Sequence, residues 1–179
     1  MHRGRGSNVG NSRLTACAMA APPTDQPIDQ PAGGRFDGRE HRLALRVYFE
    51  DTDLSGVVYH ANYLRWMERA RSDMLRLAGI DQRAAHDAGE GAYAVTEVAI
   101  RYRAPARLDD AVVVASRLMT VRPASCRIHQ RVIRGGLILA DAEVTAAFVA
   151  PDGRPRRQPR AWIDAFQTLI WAPDTEDGI

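Results

Sequence analysis

The stretch Arg46 to Gly79, RVYFEDTDLSGVVYHANYLRWMERARSDMLRLAG, makes two kinds of regular structure meet across one short polar loop. Leading into it, Leu43, Leu45, Val47 and Phe49 take every second position, and Arg42, Ala44, Arg46 and Tyr48 fill the gaps. That alternation is the period of a half-buried strand. Beyond the loop, Tyr63, Met67, Ala70, Met74 and Leu77 recur at helical spacing, with Arg65, Arg69, Arg71 and Arg76 on other faces. This predicts a helix that Gly79 ends in a left-handed conformation.

Between strand and helix, Glu50-Asp51-Thr52-Asp53 ends the strand, Ser55-Gly56 turns the chain, and Val57-Val58-Tyr59-His60 leads into the helix. Amides at a helix start lack internal partners and carry the positive end of the macrodipole, so a polarised carbonyl oxygen can be held there without a metal. Asp53 and His60 are near enough in sequence to serve one such site. From spacing alone, Asp53 also reads as a turn or helix cap, and His60 as a core histidine with a satisfied hydrogen bond.

Residues 1–40 mix Gly, Ser, Asn, Pro, Gln and Arg with few periodic apolar positions, and are expected to be a disordered extension. Leu14-Thr15-Ala16-Cys17 superficially resembles a lipoprotein processing box but lacks the preceding apolar core, and Met19 is an alternative start. Ile80 to Gly91 is polar and reads as a surface loop carrying an exposed His86. From Tyr93 the pattern becomes strand-like: Tyr93 to Ala104, Ala111 to Val121, Cys126 to Arg134 and Ile138 to Val149, with Gly135-Gly136 as a hairpin between the last two. An arginine-dense segment, Arg154-Pro155-Arg156-Arg157-Gln158-Pro159-Arg160, is read as a solvated connector or a phosphate contact. It precedes a short amphipathic helix at Ala161 to Ile170 and a frayed end at 171–179. The domain is therefore placed at 41–170, as an α+β fold in which one long helix covers an antiparallel sheet.

Composition narrows the chemistry. The 24 basic side chains balance 22 acidic ones to a net +2, which does not argue for nucleic acid. Every basic residue is Arg, so lysine Schiff-base chemistry is excluded. Two distant cysteines, Cys17 and Cys126, support neither zinc nor a disulfide framework and suit a reducing, cytoplasmic compartment. No apolar run reaches the ~18 residues of a membrane helix, so a soluble protein is expected. There is no Gly-x-Ser-x-Gly nucleophile elbow and no phosphate-cradling glycine loop.

Tyr48, Glu50-Asp51-Thr52-Asp53, Gly56-Val57-Val58-Tyr59-His60, Asn62-Tyr63 and Met67-Glu68-Arg69-Ala70-Arg71, in that order and spacing, resemble the signature of the hotdog-fold thioesterases of the 4-hydroxybenzoyl-CoA thioesterase family. Within it they are most similar to the acyl-CoA thioesterases associated with the Tol-Pal envelope system. The resemblance implies a curved antiparallel sheet wrapped around a central helix, in homodimers or homotetramers with the site at the subunit junction. It also implies hydrolysis of an acyl-CoA thioester without cofactor or metal. Asp53 matches the catalytic carboxylate, as nucleophile or general base. His60, where benzoyl-type enzymes carry tyrosine, favours an aliphatic acyl group. Gly56, Val57, Val58, Tyr59 and Tyr63 would line the substrate, and Arg103, with Arg101 and Arg107, is a candidate for coenzyme A. Two readings compete: a non-catalytic acyl-binding or scaffold protein that docks acyl carrier protein or envelope-biogenesis partners, and a hydratase or dehydratase on the same fold.

Overall fold

The computed structural model describes residues 32–172. Six strands form one antiparallel sheet: β1 (Arg35–Asp37), β2 (Glu40–Arg46), β3 (Ala92–Tyr102), β4 (Ala111–Arg122), β5 (Ser125–Arg134) and β6 (Leu137–Val149), in the order β1-β2-β4-β5-β6-β3. The helix α1 (His60–Leu77) lies against the sheet, followed by the short α2 (Gln82–Asp87) and, near the C-terminus, α3 (Arg160–Leu169). The expected sheet around one long helix is present. No helix among the described residues is long and apolar enough to cross a membrane.

α1 forms because its apolar residues make one stripe. Tyr63, Trp66, Met67, Ala70 and Met74 are buried, while the arginines at 65, 69 and 76 face outward. The helix ends where Gly79 takes φ +75°, a conformation that suits glycine. The N-terminal half of α1 packs on Leu43 and Val47 of β2, Val112 and Val114 of β4, Val132 of β5, and Ala140, Ala142 and Val144 of β6. Its C-terminal half packs with Leu118, Ile128 and Phe166. Phe166 is brought there by α3, whose other aromatic, Trp162, stacks on Tyr93 at 5.8 Å between centroids.

Several boundaries differ from the sequence reading. The N-terminal extension does not reach residue 40: β1 pairs Arg35 with Arg42 and Phe36 with His41. This hairpin is fixed by the buried Asp73 of α1, which accepts from the Gly34 amide at 2.8 Å and bonds His41 Nε2 at 2.9 Å. Ile80 to Gly91 is not simply a loop. The Asp81 carboxylate caps α2 by accepting from the Ala84 amide at 2.9 Å, Arg83 and Asp87 pair along the helix, and Ala85 is buried beneath. Phe49, expected inward, is 81% exposed because Phe49–Asp51 leaves the strand as a single 3-10 turn. At the C-terminus Trp171 is held, its amide donating to Leu118 O at 2.7 Å and its ring lying 3.8 Å beneath the Arg117 guanidinium. The expected fraying at 173–179, and the expected disorder, processing-box likeness and alternative start within 1–31, lie outside the described residues.

Phe166 is 1% exposed and joins α3 to the distal half of α1, so Phe166→Ala leaves a cavity that those helices cannot both collapse to fill. Chemical denaturation of this variant is expected to register a loss of about 3–5 kcal/mol.

Candidate active site

The loop between β2 and α1 is built on Asp51. Its Oδ2 accepts from the Tyr48 amide at 2.9 Å, closing the 3-10 turn. Its backbone oxygen accepts from the Asn62 side-chain amide at 2.8 Å and from the Tyr59 amide at 2.9 Å. The end of the strand and the first turn of the helix are thereby held together. A second tie comes from the β3–β4 connection, where Ala106 O accepts from the Val58 amide and the Ala106 amide donates to Tyr63 Oη, each at 2.9 Å. Burial raises the Tyr63 phenol above its ordinary range. Tyr63, 3% exposed, is therefore a neutral strut.

Asp53 sits at the tip of this loop. Its amide donates to Val57 O at 3.0 Å and its carbonyl accepts from the Gly56 amide at 2.9 Å, a tight turn that Gly56 permits by taking φ +73°. The carboxylate is exposed and turned onto the same turn: Oδ1 accepts from the Ser55 amide at 2.8 Å and from the Ser55 hydroxyl. Those two bonds, with a smaller contribution from His60, hold the Asp53 carboxyl below its ordinary value. Oδ2 accepts no hydrogen bond among the described residues, so one oxygen of an ionised carboxylate remains available.

His60 is the first residue of α1, after Tyr59 in extended conformation. In this first turn the Asn62 amide donates to Tyr59 O at 2.9 Å, and the His60 and Ala61 amides find no backbone acceptor among the described residues. The His60 ring lies between two tyrosines, 4.4 Å from Tyr59 and 6.2 Å edge-on from Tyr102 by centroid, and Tyr102 Oη donates to His60 O at 3.0 Å. Val58, His60, Tyr63, Tyr102, Arg103 and Pro105 border an open hollow of about 320 Å³ at the helix start. The site thus joins a helix N-terminus, an apolar floor and a nearby carboxylate.

The proposed residues are not all equal in this arrangement. Val58, His60, Tyr63 and Arg103 meet at the hollow; Gly56 and Val57 belong to the turn that carries Asp53, and Asp53 itself does not line the hollow. Tyr59 is 48% exposed and flanks His60. Arg103, the candidate for coenzyme A, donates to Asp141 Oδ2 at 3.2 Å from Nε and 2.6 Å from Nη2, so much of its charge is already engaged. Glu68 pairs with Arg71, one helical turn on. His86 lies on α2, 3.3 Å from Asp87. Tyr102 and the Asp51–Asn62 tie were missed by sequence reasoning. Asn62 was visible in the motif, but its acceptor was not. Among the described residues no three His, Cys, Asp or Glu side chains converge as a metal site.

Residues 47–167 match the family model described as the thioesterase-like superfamily. The chain is 38% identical over 128 residues to an Escherichia coli protein named acyl-CoA thioester hydrolase YbgC, covering 70% of this chain and 95% of that one. It is 41% identical over 105 residues to the Haemophilus influenzae acyl-CoA thioesterase YbgC, covering 59% of this chain and 77% of that one. Among solved structures it resembles a probable thioesterase from Bartonella henselae, with a TM-score of 0.64, 35% identity, and coverage of 67% of this chain and 99% of that one.

Because Ser55 supplies the bonds that most strongly depress the Asp53 carboxyl, carbon-detected NMR titration is expected to find its midpoint below that of an ordinary aspartate. Ser55→Ala deletes the hydroxyl bond and keeps the amide bond, so the midpoint is expected to rise. An unmoved midpoint would mean the hydroxyl bond is absent in solution.

Proposed function

The chain belongs to the thioesterase-like superfamily, and from that premise we propose that it is an acyl-CoA thioester hydrolase acting through Asp53 and the start of α1. The thioester carbonyl lies in the hollow beside His60, its oxygen directed at the first-turn amides of α1. There the His60 and Ala61 N–H groups and the helix dipole stabilise the negative charge that develops as the carbonyl carbon becomes tetrahedral. The observation that carries this reading is an ionised Asp53 with one free oxygen on a loop fixed to the same helix start.

Two routes use that carboxylate. As a general base, Asp53 takes a proton from water as the water oxygen adds to the carbonyl carbon; the C–S bond then breaks and the coenzyme A thiolate leaves and is protonated. As a nucleophile, Oδ2 adds to the carbonyl carbon and expels the thiolate, forming a mixed anhydride that water then hydrolyses. A carboxylate held below its ordinary pKa is a weak base in the open site. Substrate that strips water from Asp53 raises its basicity where the reaction needs it.

The site is shallow in one subunit, and among the described residues β3 has no strand on its outer edge, which exposes Val95, Val98 and Tyr102. We read this as the surface of a homodimer, with the acyl group enclosed at the junction. The likeness to the envelope-associated branch supports work in the cytoplasm near the Tol-Pal system, with acyl carrier protein as an alternative carrier. A non-catalytic acyl-binding role is favoured by one observation: Asp53 is turned onto its own turn and lies outside the hollow.

Asp53→Asn separates these readings, since it keeps shape and removes both charge and basicity. Steady-state assays of acyl-CoA hydrolysis are expected to find kcat reduced ~10²-fold or more, with KM unchanged or lower. The melting temperature is expected to stay nearly constant. Turnover within a few-fold of the unaltered protein would remove Asp53 from the mechanism.

A further inference from the structure

Tyr102 is the last residue of β3, yet it touches the first turn of α1 from outside the helix. Its backbone is paired with Ala140 of β6. Its ring packs edge-on to Tyr63 at 5.4 Å and to His60 at 6.2 Å between centroids. Strand and ring together fix the hydroxyl, whose Oη donates to His60 O at 3.0 Å. Partial burial, with Tyr63 beside it, raises the Tyr102 phenol above its ordinary value, so the hydroxyl keeps the proton that it donates.

A helical carbonyl ordinarily accepts one bond, from the amide four residues on. His60 O accepts a further bond that the helix does not supply. The carbonyl of His60 and the amide of Ala61 are the two ends of one conjugated, planar peptide unit. A donor on that oxygen draws electron density toward it and leaves the N–H more positive, because hydrogen bonds in a chain polarise one another. In a helix the carbonyls point toward the C-terminus and the amides toward the N-terminus. The Ala61 N–H is therefore directed out of the helix start, where it finds no acceptor among the described residues. Phenol, peptide unit and open donor stand head to tail at the edge of the hollow.

We infer that the Tyr102 hydroxyl, acting through the His60–Ala61 peptide unit, strengthens the Ala61 N–H as a donor to the thioester oxygen. Tyr102 is then a positioning residue for the hydrolysis, and the inference rests on the thioesterase reading. Its effect grows with the charge on that oxygen, so it lowers the barrier more than it tightens ground-state binding. A first-turn donor is worth ~10²–10³ in kcat and a hydrogen-bond chain strengthens each member by ~10–30%, so losing the hydroxyl is expected to lower kcat about two- to eightfold.

Tyr102→Phe keeps the ring and its packing and removes only the hydroxyl. In the full chain without ligand, NMR of the ¹³C,¹⁵N-labelled protein is expected to show the His60 carbonyl carbon and the Ala61 amide nitrogen both moving upfield in the variant, as a bond to that oxygen is lost. Steady-state assays of acyl-CoA hydrolysis are expected to show the fall in kcat with KM unchanged. An unmoved Ala61 nitrogen overturns the inference whether or not the unaltered protein hydrolyses acyl-CoA, which separates its failure from that of the thioesterase reading. In an active protein, an unchanged kcat overturns it as well, and so does a raised KM at unchanged kcat, the mark of a hydroxyl that binds substrate directly.

Discussion

The candidate site depends on the bonds made by Asp51. One residue binds the Tyr48 amide with its side chain and the Tyr59 and Asn62 amides with its carbonyl, and so joins the end of β2 to the start of α1. With the Ala106 tie, these bonds keep the tip carrying Asp53 in register with the helix start where a carbonyl oxygen would be stabilised. Catalysis by positioned groups is sensitive to displacements of about 1 Å. The strand, helix and β3–β4 connection matter to the site because they supply fixed ends for this loop.

The same arrangement accounts for how little of the site one subunit encloses. A sheet wrapped on a single helix covers one face of α1 and leaves β3 as an edge, and the hollow opens beside the end of that edge. A second copy on β3 would supply the missing wall. The arginine segment is anchored beside the start of β3 by Arg156, whose side chain donates to Glu90 O at 2.7 Å. On this view the oligomer belongs to the substrate site and not only to stability.

Much of this was legible in the sequence where short-range periodicity decides structure. Leu43 and Val47 alternate inward, α1 shows its apolar stripe, and Ala140, Ala142, Val144, Ala146 and Phe148 lie on one buried face of β6. The candidate site motif was legible too, because Asp53, Gly56 and His60 are close in the chain. What was missed depends on partners distant in sequence. β1 is three residues long and is ordered by Asp73, 39 residues beyond Gly34. Arg103 meets Asp141 at a separation of 38, and Tyr102 meets His60 at 42. α2 left a local trace, since Asp81 is a capping residue and Arg83 and Asp87 are spaced to pair, but its polar composition masked a helix with one buried alanine.

A hydrolase built this way must turn over acyl-CoA. Release of free thiol and free acid from a panel of acyl-CoAs, saturated and aromatic, by the unaltered full chain tests it most directly. Multiple turnovers are expected, with thiol and acid formed in equal amounts and faster release from aliphatic than from benzoyl substrates. Absence of thiol release across the whole panel, by a folded protein that binds coenzyme A, would contradict it and leave acyl binding as the function of the site.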